Sequence, residues 1–319
     1  MQRAVDRLGT DRLRQWLPLA TLVVLIALVG VMQPGFLEPA TLLQLASDTA
    51  VLFILATGVT FVIMLGGIDL SLQSMASLAS VIVALTIAPL GYGSFVFAIA
   101  VGAIAGLLSG LAHVRLKIPS FIATLAMGGV LFSTALVISR ERSITLQDAE
   151  RGYQTWITGR VFGVPNVIVI GLIVLAVAHT LQSRTRFGRY SAAIGAGEPA
   201  AYASGLKVNR QKVIAFVLSG GFAALAGIIL AGRLASGSPT LAAELLLPSI
   251  AAVVVGGTAI TGGVGSVWRT LIGALIISVV RIGMTFLGVN IFAQNIVFGA
   301  VLIAAVAITI DRSKIPIVK

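Results

Sequence analysis

Cysteine is absent from all 319 residues, which excludes disulfides and thiolate chemistry and leaves the redox compartment open. Histidine is almost absent as well: His113 and His179 stand alone, and no set of imidazoles and carboxylates has the spacing of a catalytic metal site. The dipeptide Gly-Lys occurs nowhere, so the phosphate-binding loop GxxxxGK[ST] is missing and ATP hydrolysis by that route is excluded. Charge is scarce. Only 10% of residues are charged, against roughly a quarter in a soluble domain. Acids are scarcer still, eleven against 22 Lys and Arg, and no two lie together deep in an apolar stretch as an intramembrane acid pair would require. An enzyme is a poor reading of such a chain.

Apolar residue is what the chain has in abundance, 58% of it, with a mean hydropathy of +1.05. The length holds about ten spans of ~20 residues with short connections. The spans fall at 16–32, 47–66, 70–88, 93–112, 119–139, 164–183, 211–232, 248–262, 267–288 and 291–310. The expected fold is therefore an all-α, polytopic membrane helix bundle, with residues 1–319 forming a single transmembrane domain. The run 16–32 follows Arg3, Arg7, Arg12 and Arg14 and lacks a clean cleavage site after it, so it reads as an uncleaved first span. Threading the spans from a cytoplasmic N-terminus leaves both termini and most cations inside, as the positive-inside bias requires. The formal +11 charge is thus an orientation signal. Its cations lie in loops beside lipid-embedded spans, without the aromatic-basic interleaving of a nucleic-acid surface, and nucleic acid is not an expected partner.

The longest basic loop runs from Arg184 to Lys212 and contains a single acid, Glu198. At its centre Pro199 suits the first position of a helix, and Ala200, Ala201 and Ala203 favour the turns that follow until Gly205 can end them. A helix of about two turns is unstable alone in water. It is either a surface turn resting on its own membrane domain or a docking helix seated in a cytoplasmic partner.

Two stretches interrupt the apolar runs. Gly66-Gly-Ile-Asp-Leu-Ser71 places Asp69 between apolar segments, and Gly256-Gly-Thr-Ala-Ile-Thr-Gly-Gly-Val-Gly-Ser266 carries five glycines. Broken helices of this kind are tolerated where the freed backbone groups face a cavity or another segment of protein. Candidate translocation-path or broken-helix residues are Gly67, Asp69, Ser71, Gly257, Thr258, Gly262, Gly263 and, near the last span, Asn295. Asp69 also fits a structural role, as N-cap of the following helix. Arg281 falls within a span, where a long side chain can snorkel outward. Elsewhere the spans are rich in Gly, Ala and Ser at spacings of three or four, the pattern that lets helices approach closely in lipid. Ion-coupled secondary transport of a small polar solute is an alternative to an energy source outside the spans, but titratable groups suited to it are few.

Gly67-Ile-Asp-Leu-Ser71, Ile118-Pro-Ser-Phe-Ile-Ala-Thr-Leu125, Thr185-Arg-Phe-Gly-Arg189, Ala193-Ile-Gly-Ala196 through Ala203-Ser-Gly205, and Val255-Gly-Gly-Thr258 with Gly262-Gly-Val-Gly265 resemble, in that order, the permease subunits of bacterial ribose, xylose and arabinose type ABC importers. The likeness covers residues 40 to 310. It implies a multi-pass permease of the bacterial inner membrane that pairs with a second permease copy and receives a monosaccharide from a periplasmic sugar-binding protein. A cytoplasmic ABC ATPase subunit would drive it, with ATP and Mg on that partner and no cofactor on this chain. It also implies that the basic island is the coupling helix, which assigns Gly195, Glu198, Pro199, Ala200, Ala201 and Gly205 to ATPase coupling. One departure stands out. The Glu-Ala-Ala pattern of other import permeases has its Glu six places before a Gly, whereas here Pro199 lies six before Gly205 and Glu198 is one place earlier.

Overall fold

A helix with no solvent-exposed polar face is buried on every side, and the helix Pro39–Met64 is so buried from Thr49 onward. In the computed structural model, which describes residues 18–309, this segment, α2, follows α1 (Pro18–Met32) and has 94% of its most apolar window buried. The N-terminal arginines and the tail after Thr309 lie outside the described residues. Around α2 stand α3 (Leu72–Leu90), α4 (Gly93–Arg115) and α5 (Ser120–Ser139). An irregular connection carries the short α6 (Asp148–Arg151) and α7 (Thr155–Thr158) to α8 (Asn166–Arg184). Then come α9 (Arg186–Ala196), α10 (Glu198–Ala203), α11 (Val208–Leu234), α12 (Leu246–Val255), α13 (Val267–Phe286) and α14 (Ile291–Thr309). Among the described residues, seven helices are long and apolar enough to cross a bilayer: α2, α3, α4, α5, α8, α11 and α13. The apolar helical stretches Pro18–Met32, Ala243–Val255 and, within α14, Ala293–Ala304 lie at the positions of the remaining expected spans. The protein is a polytopic helical membrane protein.

Small residues set the spacing of the bundle. Gly102 and Gly106 of α4 lie one turn apart and meet α11 so closely that a Cβ on Gly106 would stand 2.1 Å from the Phe216 carbonyl oxygen. A Cβ on Gly220 would stand 2.0 Å from the carbonyl oxygen of Gly102. Backbone touches backbone there, the geometry that supplies van der Waals attraction where lipid offers no hydrophobic drive between helices. A buried hydroxyl pair, Thr60 with Thr270 at 2.8 Å, ties α2 to α13. The peripheral helices show the opposite character. In α8 only 22% of the apolar window is buried, and Leu172, Ile173 and Val177 project outward, as do Ile104 and Leu108 of α4, a surface suited to lipid.

Among the described residues, sheet is confined to two short antiparallel pairs. β1 (Ile144–Thr145) pairs with β4 (Ser236–Gly237), and β2 (Arg160–Val161) pairs with β3 (Val164–Pro165). The chain after α11 then runs as irregular backbone along the middle of α3. There the N–H groups of Ser238 and Ala242 donate to the hydroxyls of Ser80 and Ser77, at 3.2 and 3.0 Å. Those serines, one turn apart on a mostly apolar helix, replace the hydrogen bonds that regular structure would supply.

Several element bounds differ from the expected spans. α2 begins at Pro39, eight residues before the span drawn from 47, because Pro39 opens the helix and Leu42 and Leu45 extend its apolar surface. A second difference is at 248–262. Its helix stops at Val255, where Gly257 takes φ +90 and the N–H of Thr258 turns back to the Val253 carbonyl, a C-terminal cap that glycine permits without strain.

Candidate functional site

Both helix breaks are built on the same cap. At the end of α2, Gly66 takes φ +75 and the N–H of Gly67 returns to the carbonyl of Val62. The cap ending α12 repeats this with Gly257 and Thr258 in the two positions. The freed backbone of the first break is satisfied from the side. Ser120 accepts from the N–H of Ile68 at 3.0 Å, while Thr124, one turn further along α5, accepts from the N–H of Leu70 at 3.0 Å and donates to the Ile68 carbonyl at 3.2 Å. Hydroxyls spaced by four on α5 thus act as a strand partner for the extended segment.

Asp69 is buried inside this first break. One carboxylate oxygen accepts from the N–H and hydroxyl of Ser71, at 2.9 and 2.6 Å, and the other accepts from the hydroxyl of Ser219 on α11 at 2.7 Å. The N-cap of α3 is Ser71 rather than Asp69. Asp69 braces that cap from two residues upstream and fastens the break to α11, so its hydrogen-bonding capacity is spent on the protein.

The second break, 256–266, folds back onto the end of α2, where the N–H of Gly263 donates to the Met64 carbonyl at 2.9 Å. Gly262 and Gly263 hold φ +88 and +79. Gln182, near the end of α8, spans the loop's exit by donating to the Gly265 carbonyl and accepting from the N–H of Val267, both at 2.8 Å. Thr258 is fully buried, and its hydroxyl has no partner among the described residues.

The basic island closes over this junction. Its first helix, α9, starts where the Thr185 hydroxyl accepts from the N–H of Phe187 at 3.1 Å. Inward-facing Gly188, Ser191 and Ile194 recur at helical spacing. Gln211 of α11 holds α9 by donating to the Phe187 carbonyl and the Ser191 hydroxyl, at 2.7 and 2.9 Å. Gly195 is the point of closest approach. A Cβ there would stand 2.0 Å from the carbonyl oxygen of Met64 and 2.3 Å from the nitrogen of Gly263, so the residue touches both breaks at once.

α10 follows directly. Glu198 begins it and pairs with Lys212 of α11 at 2.7 Å, a half-exposed ion pair worth no more than about 1 kcal/mol. Pro199 takes the second helical position, and Gly205, at φ +76, lets the chain turn out of the helix. Pro199, Ala200, Tyr202 and Ala203 are exposed, whereas Ala201 faces inward and joins the apolar core. A cavity of about 490 Å³ opens beneath, lined among others by Gly67, His113, Ser120, Gly195, Glu198 and Lys212.

The structure therefore brings Gly67, Gly195, Glu198, Gly262 and Gly263 to one end of the bundle and fixes Asp69 and Ser71 in the wall beside them. Asn295 is apart from this group, on α14, where it donates to the carboxylate of Glu244. Sequence reasoning missed α9, whose two glycines and basic residues read as loop, and the bridging amides Gln182 and Gln211. Among the described residues no three His, Asp or Glu side chains are grouped to hold a metal.

Comparison with known proteins gives the same class. Residues 41–306 match the family described as branched-chain amino acid transport system / permease component. The ribose import permease protein of Bacillus subtilis is 38% identical, with 98% of each chain covered. That of Haemophilus influenzae is also 38% identical, over 89% of this chain and 90% of its own. The galactose/methyl galactoside import permease protein of Escherichia coli K12 is 32% identical, over 90% and 91%. With a family match over most of its length and relatives of this identity end to end, the chain belongs to the branched-chain amino acid transport system / permease component family.

Proposed function

We propose that this chain is the membrane-spanning subunit of an ATP-driven importer in the bacterial inner membrane, translocating a monosaccharide, with the α9–α10 end cytoplasmic. The observation that carries the reading is the contact of Gly195 with both Met64 and Gly263, which joins the island to both helix breaks with no intervening element. A push on the exposed face of α10 reaches α2 and the second break through backbone contacts that cannot be compressed. The sugar class comes from the relatives' substrates, ribose and galactose or methyl galactoside. ATP and Mg belong to a separate ATPase docked on α10, a periplasmic binding protein delivers the sugar, and a second copy of this chain completes the path in a two-fold arrangement. Ion coupling is the weaker reading, because Asp69, the acid in the breaks, is occupied on both oxygens.

The test is reconstitution of the chain with the ATPase and binding protein of its operon in proteoliposomes. Uptake of radiolabelled ribose or galactose requiring all three components and internal ATP supports the reading. ATP hydrolysis by the purified chain alone, or a single copy per complex by native mass measurement, contradicts it.

A further inference from the structure

At the end remote from α9 and α10, two polar stripes face each other across a groove of about 510 Å³. One is on α2, where Thr41, Gln44 and Asp48 follow at three and four residues; the other is on α13, where Arg281 and Thr285 lie one turn apart. Both helices are otherwise mostly apolar. α13 is 20 residues long, about 30 Å at 1.5 Å per residue, and so matches the hydrocarbon layer. Arg281 stands five residues before its last residue, about 8 Å inside that end. An ionisable side chain at such depth is costly unless it pairs or lines a wet path.

Arg281 is not paired. No ion pair reaches it among the described residues; Asp48, the carboxylate in the same groove, is bound instead by Arg233 of α11 and by Gln44, both on the same oxygen. Among the described residues the second oxygen of Asp48 has no hydrogen-bond partner. A snorkelling arginine would need no companions, yet the groove sets a free guanidinium opposite a free carboxylate oxygen. Gln44, Thr41 and Thr285 line the same groove, and half-exposed Phe286 forms an apolar wall. Neighbouring hydroxyls on a sugar ring each donate and accept, and this lining offers a donor only (Arg281), an acceptor only (Asp48) and both on the Gln44 amide, while the hydroxyls of Thr41 and Thr285, which donate to the carbonyls of Gly35 and Arg281, present acceptor oxygens. The volume lies within the range of small-molecule sites.

We propose that the groove between the Thr41–Gln44–Asp48 stripe and the Arg281–Thr285 stripe is an extracytoplasmic binding station for an uncharged, polyhydroxylated solute of monosaccharide size, with Arg281 and the free oxygen of Asp48 hydrogen-bonding adjacent hydroxyls. It deepens the permease reading and rests on it. Since the chain has no cysteine, single cysteines report on the groove without background. Gln44→Cys and Thr285→Cys are exposed from the extracytoplasmic side to a membrane-impermeant, charged methanethiosulfonate, with lipid-facing Ile104→Cys and Ile173→Cys as controls. The groove positions react and the controls do not. Under turnover with the binding protein and the ATPase, D-ribose, D-galactose or D-fructose slows the reaction several-fold. Arg281→Gln leaves Thr285→Cys reactive but abolishes that protection and lowers uptake about tenfold, the loss of one hydrogen bond to a charged group; Arg281→Lys recovers part of both.

Groove cysteines as inert as the controls, reactive cysteines that none of the three sugars protects while wild type transports one of them, or an Arg281→Gln chain with unchanged protection would each overturn the station. A wild-type complex that takes up none of the three sugars overturns the permease reading instead, and the named occupant with it.

Discussion

Replacing Gly195 by alanine tests the junction with a single methyl group. The added carbon would lie 2.0 Å from the Met64 carbonyl oxygen and 2.3 Å from the Gly263 nitrogen, both rigid backbone atoms. Relief to ordinary contact requires about 1.1–1.4 Å of separation between α9 and both breaks. The hydrogen bond from Gly263 to Met64, 2.9 Å long, lies inside the region to be opened. Overpacking costs about 1–3 kcal/mol, and stretching a buried hydrogen bond until its groups are unsatisfied adds about 1–3 kcal/mol. The expected loss is about 2–6 kcal/mol, read as a lowered unfolding temperature of the purified permease in detergent, together with loss of ATP-driven uptake in proteoliposomes. Gly221→Ala on α11 is the control, since a Cβ there meets nothing within 4 Å, and it leaves both readouts unchanged. A Gly195→Ala chain with wild-type melting and uptake would refute the close junction and the transmission route built on it.

The two alanines of α10 should part company. Ala200→Glu, on the exposed face, abolishes ATPase association in pull-down and uptake while melting stays normal, because a misplaced charge fills the docking groove; Ala201→Glu instead lowers the melting temperature of the isolated permease by burying an unpaired charge. Thr124→Val removes the partner of the Leu70 N–H and of the Ile68 carbonyl, and should cost about 1–3 kcal/mol per unsatisfied group, checked by thermal unfolding with Thr134→Val, exposed on the same helix, as reference. Asp69→Asn keeps the shape but weakens hydrogen bonds to a charged acceptor, so the permease loses about 1–2 kcal/mol of stability and uptake still ignores the proton gradient. Uptake that became insensitive to ATP in this variant would assign Asp69 to coupling.

The membrane bundle, the island and both breaks were legible from residue type alone, because long apolar runs, clustered cations and paired glycines each answer to one dominant physical constraint. Ala201 was not. Which side of a six-residue helix faces the protein depends on α11 and α9, and the Ala-Ala pair carries no asymmetry to reveal it. Helix α9 hid behind Gly188 and Gly195, poor helix formers in isolation that are required here by the close approach of Gln182 and Met64. The segment Ser236-Gly-Ser-Pro-Thr240 reads as an ordinary connecting loop. Its path along α3 is marked instead by Ser77 and Ser80, whose spacing on an apolar helix was the available signal. In the same way the stripe Thr41, Gln44, Asp48 was split by a span drawn from residue 47, so that Arg281 seemed to stand alone.

The central claim is that energy enters through the island rather than through titratable groups in the spans. The most direct measurement is sugar uptake into proteoliposomes holding the chain, its ATPase and its binding protein, with internal ATP held constant while an ionophore collapses the proton and sodium gradients. Uptake continues at its original rate and falls only when ATP is removed; uptake that stops with the gradients while ATP remains would contradict the account.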